Sequence, residues 1–329
     1  MNSSIDFIGD IHGHYDELVA LLGKLGYKES NGAYRYPGGE RTVVFLGDYI
    51  DRGSQVRETV NLVRAMRDAG SAVALMGNHE FNALSFWHEN GVGGHRLQAI
   101  PGGFLREHTF NKVAIHVKTV EAYRGRKAEF MEVLDFFKTL PFFLETETFR
   151  AQHASFDLKG AQVLKEKKIL SFTDGDFDDL IARANDKHKE YDDSLYYPIN
   201  LFLKGPEIDL PAGVTFRDGE GVHRKRARLR WWIDPKKMNL HDLSFQPGVE
   251  LPPCDVPADV RNGDYYGENE RPDFFGHYWL TGIPSLIRDN VCCLDFSVAG
   301  YRGDGRLAAY RFDGEQKLDS SKFVWVEAK

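Results

Sequence analysis

The stretch IDFIGDIHGH, residues 5–14, decides how the chain is read, and two later stretches repeat its form: TVVFLGDYIDRG at 42–53 and AVALMGNHE at 72–80. Each is a short apolar run that stops at a glycine followed by Asp10, Asp48 or Asn78. Between them, Tyr15 to Leu25 places Leu18, Leu21, Leu22 and Leu25 at helical spacing, and Arg57 to Ala69 places Val60, Val63, Ala65 and Met66 among charges. The first 80 residues therefore read as β-α-β-α-β. Strands alternating with helices imply a parallel sheet with right-handed crossovers, and continuous apolar runs suit strands buried on both faces. In such sheets ligands gather beyond the carboxyl ends of the strands. Turn formation alone accounts for one Gly-Asp at a strand end; three in succession, bearing Asp-x-His, Asp-x-x-Asp-Arg and Asn-His-Glu, point to a site.

Working outward, Lys127 to Thr139 reads as a helix stopped before Pro141, and Thr148 to Gln152 as a strand delivering His153. Residues 160–195 have a charged, mostly helical pattern, Pro198 to Pro211 reads as loop, and Pro247 to Pro272 as a long ordered loop. Asp273 to Gly276 reads as a strand leading into His277; Val291 to Asp295, Leu307 to Phe312 and Phe323 to Val326 read as antiparallel strands. Candidate site residues come from both halves, so residues 1–329 are expected to form one domain, with 160–272 a lid or insert between the last two site histidines.

The chain has 329 residues, 42% of them hydrophobic and 28% charged, which is the composition of a globular protein and not of a disordered chain or coiled coil. With 42 basic and 49 acidic side chains its net charge is −7, which argues against general nucleic-acid or membrane-surface binding. Three cysteines, Cys292 and Cys293 adjacent, make neither a disulfide framework nor a four-thiolate zinc site. No signal peptide is visible in MNSSIDFIGD and no run of 18 apolar residues occurs, so a cytoplasmic location is expected, with no membrane partner and no stable nucleic-acid complex.

Asp, His and Asn are oxygen and nitrogen donors suited to hard or borderline divalent metals. A carboxylate such as Asp48 can bridge two ions, bringing them to about 3.5–4 Å apart, the spacing used for phosphoryl chemistry. GDIHG, GDYIDRG and GNHE resemble, residue for residue, the first three signature blocks of the phosphoprotein phosphatase family of calcineurin-like metallophosphoesterases. LPFFLETETFRAQHASFD, residues 140–157, is similar to the fourth block and FFGHYW, residues 274–279, to the fifth. Two positions differ from the usual pattern: Ser155 where the family has glycine, and Tyr278 where it has threonine.

The resemblance implies an α/β fold, a four-layer αββα sandwich of two mixed sheets flanked by helices. It implies that Asp10, His12 and Asp48 hold a first divalent metal, that Asp48 bridges, and that Asn78, His153 and His277 complete a second. Manganese is the expected ion, with iron or zinc the other candidates. Two such ions against Asp10, Asp48 and a bridging hydroxide leave a centre of about +1, which attracts an anionic phosphate despite the acidic surface. The metals would lower the pKa of bound water, and the resulting hydroxide would attack phosphorus. Arg52 would clamp phosphate oxygens with its planar fork. His79, oriented by Asp51, would protonate the leaving oxygen, and His14 would line the pocket. Relatives carry a second phosphate-binding arginine between the last two histidine ligands. In VHRKRARLRWW, residues 222–232, Arg224, Arg226, Arg228 and Arg230 would share one face of a strand, about 6.6 Å apart, and Arg228 and Arg230 are the candidates. For His88, His95, His108, His116, His188, His223 and His241 a structural or surface role is expected.

The expected function is metal-dependent hydrolysis of phosphate monoesters, with a phosphorylated small molecule, nucleotide or phosphoprotein as substrate. A symmetrical dinucleoside tetraphosphate hydrolase, or a nucleotide or polynucleotide phosphoesterase, would use the same five blocks. A non-catalytic metal-dependent binding module is the remaining class; degenerate members would lack a ligand or the acid histidine, and this chain lacks neither.

Overall fold

The computed structural model describes residues 4–94, 97, 103–188, 194–210, 213–217, 223–245, 256–300 and 303–329. His95, Val222 and residues 246–255, on which some expectations fell, lie outside them. Two sheets form the centre. The six-stranded sheet runs Asp295–Phe296, Arg306–Phe312, Ile5–Ile8, Thr42–Phe45, Ala72–Ala74, with Phe323–Glu327 also paired to Arg306–Phe312. The four-stranded sheet runs Val291–Cys293, Asp273–Phe275, Arg150–Gln152, Phe143–Glu145. Ile5–Ile8, Thr42–Phe45 and Ala72–Ala74 are mutually parallel, as are Arg150–Gln152, Asp273–Phe275 and Val291–Cys293.

Strand periodicity assigns the two faces. Ile5, Phe7 and Val44 point inward and meet Phe149, Phe274, Phe296 and Phe312 in the core between the sheets. Phe7 stacks on Phe274 with centroids 3.8 Å apart. Ile8, Val43 and Phe45 point outward and pack with Leu18, Leu21, Leu22, Val60, Val63 and Met66; on the far side, Phe143, Phe275 and Cys293 join Phe156, Leu164 and Phe202. The result is the four-layer arrangement of two mixed sheets flanked by helices. Asp6, also outward, is buried and accepts hydrogen bonds from Tyr27 Oη at 2.9 Å, Arg41 Nε at 3.0 Å and Arg311 Nε at 3.2 Å. Phe7→Ala should cost about 3–5 kcal/mol in urea unfolding, because both transfer free energy and a cavity between the sheets are involved.

Two readings of the sequence are corrected. Pro198 does not mark a loop: Tyr196–Lys204 is a helix, with Pro198 in its first turn, where its missing N–H costs no hydrogen bond. Val291–Cys293 is not antiparallel to the terminal strands; it pairs parallel with Asp273–Phe275, and the chain changes sheet at Leu294 before Asp295–Phe296 joins Arg306–Phe312. Local patterning marks a strand but not its partner.

Candidate metal and phosphate site

The five quoted segments meet because each follows the carboxyl end of a strand, three from the parallel part of the six-stranded sheet and two from the four-stranded sheet. Ile5–Ile8, Thr42–Phe45 and Ala72–Ala74 deliver Asp10 and His12, Asp48, and Asn78; Arg150–Gln152 and Asp273–Phe275 deliver His153 and His277. The turns that follow are strained. His12, Asp48, Asp51, Arg52, His277 and Trp279 all have positive φ, between +36° and +69°. Non-glycine residues rarely adopt this conformation, and clusters of them mark sites where side-chain placement matters more than local stability. Gly77 and Gly276 are needed for close approach: a Cβ on Gly77 would collide with Asp48, and one on Gly276 with the Asp10 carboxylate.

Asp48 stands at the centre. Its Oδ2 lies 3.5 Å from His12 Nε2, 3.4 Å from His153 Nε2 and 3.8 Å from His79 Nε2. Two clusters able to hold a cation, His12–Asp48–His79 and Asp48–His153–His277, share it. Each imidazole is aimed from behind. His12 Nδ1 donates to Ile50 O at 2.8 Å, leaving Nε2 buried with no hydrogen-bond partner among the described residues. His153 Nδ1 bonds Leu46 O at 2.8 Å, and its Nε2 lies 2.9 Å from Asn78 Oδ1. His277 turns its Nε2 to Lys204 O at 3.1 Å. Glu80, fully buried, accepts the backbone N–H groups of Gly77, Asp48 and Tyr49 at 2.8–3.0 Å and so holds the Asp48 turn. Asp10 is held one layer back: the N–H of His277 bonds its two oxygens at 3.1 and 3.2 Å.

The electrostatics fit divalent cations. Burial, with Asp295 and Asp48 nearby, pushes Asp10 well above the usual carboxylate range. Burial also raises Asp295, although N–H groups of Ser297 and Trp279 oppose the shift. Burial and the neighbouring His79 push His12 down, and burial with Arg228 pushes His277 down, so both rings are neutral lone-pair donors. Burial lowers the His153 pKa, but the Asp48 and Asp10 charges outweigh it and push His153 up to about 10. A buried group of carboxylates and imidazoles, one with an orphaned nitrogen, offers the oxygen and nitrogen donors that divalent ions take.

Within the first cluster, His79 Nδ1 lies 2.6 Å from Asp51 Oδ2. Burial lowers the His79 pKa, but the Asp48 charge and the Asp51 hydrogen bond outweigh it and leave it raised. Burial likewise works against the Asp51 carboxylate, yet hydrogen bonds from His116 and His79 hold it below its ordinary range. Arg52 places its guanidinium 4.2 Å over the Trp279 ring. His14 Nδ1 turns back to Ile11 O at 3.0 Å, at the start of helix Tyr15–Leu25.

Of the candidate arginines, the structure brings Arg228 to the site and not Arg230. The expected single strand is broken at Lys225: His223–Arg224 pairs with Phe216–Arg217, and Arg226–Leu229 with Glu207–Asp209 and Ser244–Phe245. Arg226 pairs at the surface with Glu207 and Asp209. Arg228 Nη1 donates to His277 O at 2.9 Å, whereas Arg230 lies 5.8 Å over the Phe245 ring. The two departures from the family pattern are anchors. Ser155 Oγ donates to Leu201 O at 2.7 Å, tying the fourth block to helix Tyr196–Lys204. Tyr278 Oη donates to Leu229 O at 2.9 Å, tying the fifth block to the strand that carries Arg228.

Comparison with known proteins agrees with this geometry. A calcineurin-like phosphoesterase family profile matches residues 3–210. The chain belongs to that family. It is 34% identical to a symmetrical bis(5'-nucleosyl)-tetraphosphatase of Neisseria meningitidis serogroup A, over 72% of this chain and 79% of that protein. It is 46% identical to an asymmetrical bis(5'-nucleosyl)-tetraphosphatase, PrpE, of Halalkalibacterium halodurans over 74 residues, which span 22% of this chain and only 30% of that relative. A serine/threonine phosphatase structure from Saccharomyces cerevisiae aligns over 99% of this chain and 79% of its own, at 14% identity and TM-score 0.49. The family uses a dinuclear divalent metal centre, and two clusters sharing one carboxylate suit such a centre. Among the described residues no helix is long and apolar enough to cross a membrane.

His116, for which a structural or surface role is expected, is buried and bonded to Asp51. Glu80, Thr119 and Asp295 were likewise given no role in advance. Only Glu80 carried a signal, its place three residues after Gly77 at a helix start.

Proposed function

We propose that the protein hydrolyses phosphate monoesters, with two divalent metals, manganese foremost, held by Asp10, His12, Asp48, Asn78, His153 and His277. The observation that carries this reading is the pair of clusters sharing Asp48, one of them completed by His79. When bound, the metals would supply an activated water and charge neutralisation of the phosphoryl oxygens. The rest is the work of the chain. Arg52 and Arg228 orient the phosphate by paired N–H donors, Arg52 braced on Trp279 and Arg228 on His277 O and the Tyr278 ring. His79 keeps its Nδ1 proton on Asp51 and delivers the Nε2 proton to the leaving oxygen. Residues 160–272 we read as an insert over this site, supplying Arg228 and the Lys204 carbonyl.

A second reading, hydrolysis of dinucleoside tetraphosphates, is favoured by the Neisseria relative, whose match spans most of both chains. The metal-loaded enzyme should be assayed by kcat/KM on p-nitrophenyl phosphate, bis-p-nitrophenyl phosphate, a phosphopeptide and diadenosine tetraphosphate. Monoesters leading supports the first reading; the tetraphosphate leading by tenfold or more (about 1.4 kcal/mol) replaces it with the second. Arg52→Ala should raise KM and lower kcat together, at a cost of about 2–4 kcal/mol in kcat/KM, because a phosphate clamp acts in both ground and transition states. A change under about threefold, within about 0.7 kcal/mol, would make Arg52 structural.

A further inference from the structure

Helix Phe110–Ala122 is built inside out. Its buried residues are His116 and Thr119, while Phe110, Val113, Val117 and Val120 are exposed. Burying polar groups costs free energy unless each is hydrogen-bonded, so a helix that hides its polar face and shows its apolar one has been placed for those polar contacts. Both contacts end on Asp51, the partner of His79.

We propose that His116 is a positioning residue for His79, acting through Asp51 in a chain that begins at Trp87. The proposal rests on the acid role given to His79 above. The direction of every proton in the chain is fixed. The Trp87 indole N–H, which can only donate, bonds His116 Nε2 at 3.0 Å, so His116 is neutral with its proton on Nδ1. That proton goes to Asp51 Oδ1 at 2.9 Å. The N–H of Asp51 donates to Thr119 Oγ1 at 3.0 Å, so the Thr119 hydroxyl hydrogen points to Asp51 Oδ1 at 2.5 Å. Oδ1 is thus engaged by two donors, and Oδ2 is left to His79 Nδ1 at 2.6 Å. The carboxylate cannot rotate without breaking two bonds, which pins the plane of the His79 ring and aims its Nε2 toward Asp48. Asp51 itself sits at φ +69°, a strained backbone that the Thr119 bond restrains.

The test compares His116→Ala and His116→Asn in the Mn²⁺-loaded enzyme on phenyl phosphate, a poor leaving group, and p-nitrophenyl phosphate, a good one. His116→Ala should lower kcat about tenfold more on phenyl phosphate than on p-nitrophenyl phosphate with KM little changed, since misaiming an acid penalises the step that needs its proton. Asparagine, whose amide nitrogen can stand where Nδ1 stood, should recover most of that loss. In the NMR spectrum of the metal-free protein the downfield His79 Nδ1–H resonance should move in His116→Ala and return in His116→Asn. Thr119→Val, which removes the other donor to Oδ1, should show the same leaving-group bias and decides the matter if His116→Ala does not fold. Equal losses on both substrates, or no loss with an unmoved resonance, would overturn the proposal. His79→Asn is measured alongside: if it shows the bias and His116→Ala does not, only the positioning role falls; if it shows none, the acid role falls and the positioning role with it.

Discussion

His79→Asn should lower kcat on phenyl phosphate by about 10²–10⁴-fold, the usual contribution of general acid catalysis. Asparagine preserves a hydrogen bond to Asp51 but has no proton to give at neutral pH. The penalty should shrink on p-nitrophenyl phosphate, whose leaving group departs without protonation. Bound metal should stay near that of the unaltered chain, because His79 Nδ1 is committed to Asp51 and the acid role keeps a proton, not a metal ion, on its Nε2. His79 does complete one of the two cation-sized clusters. Loss of one metal ion in the variant would therefore reassign it as a ligand, and equal losses on both substrates would remove the acid role.

Asp48→Asn should be more damaging still. Asp48 belongs to both clusters, so one substitution disturbs both metals, whereas asparagine keeps an Oδ1 to accept the backbone N–H of His79, now 3.0 Å away. Removing the shared negative charge should cost metal affinity and several kcal/mol of transition-state stabilisation, a fall on the order of 10³-fold or more in kcat/KM. Adding Mn²⁺ to the stripped variant should not restore the rate. Recovery to within about tenfold of the unaltered enzyme, a deficit of only about 1.4 kcal/mol, would show that Asp48 does not bridge.

What the sequence made legible was whatever lies within a few residues of a strand end. The runs ending at Gly9, Gly47 and Gly77 mark three parallel strands, and their Asp10, Asp48 and Asn78 do converge with His153 and His277. The supports of the site were illegible because they arrive from distant helices at ordinary-looking positions. His116 and Thr119 sit in a segment whose valines suggest an apolar face, and nothing local says that this face is turned outward. Val291–Cys293 read correctly as a strand and wrongly as to its partner, since pairing is decided by which sheet has a free edge. Arg228 was separable from Arg230 only in three dimensions: period-two alternation holds from Arg226 to Leu229, but the Leu243 contact and the Phe245 ring take Arg230 elsewhere.

The most direct test of the two-metal account is a metal titration of the unaltered protein. Chelator-stripped protein is titrated with Mn²⁺ while bound metal is counted by mass spectrometry and phenyl phosphate hydrolysis is followed in the same samples. The account predicts negligible activity in the stripped protein and a rate that reaches its maximum only as bound metal approaches two ions per chain. Full activity in excess chelator, or a maximal rate reached at a single bound ion, would contradict it.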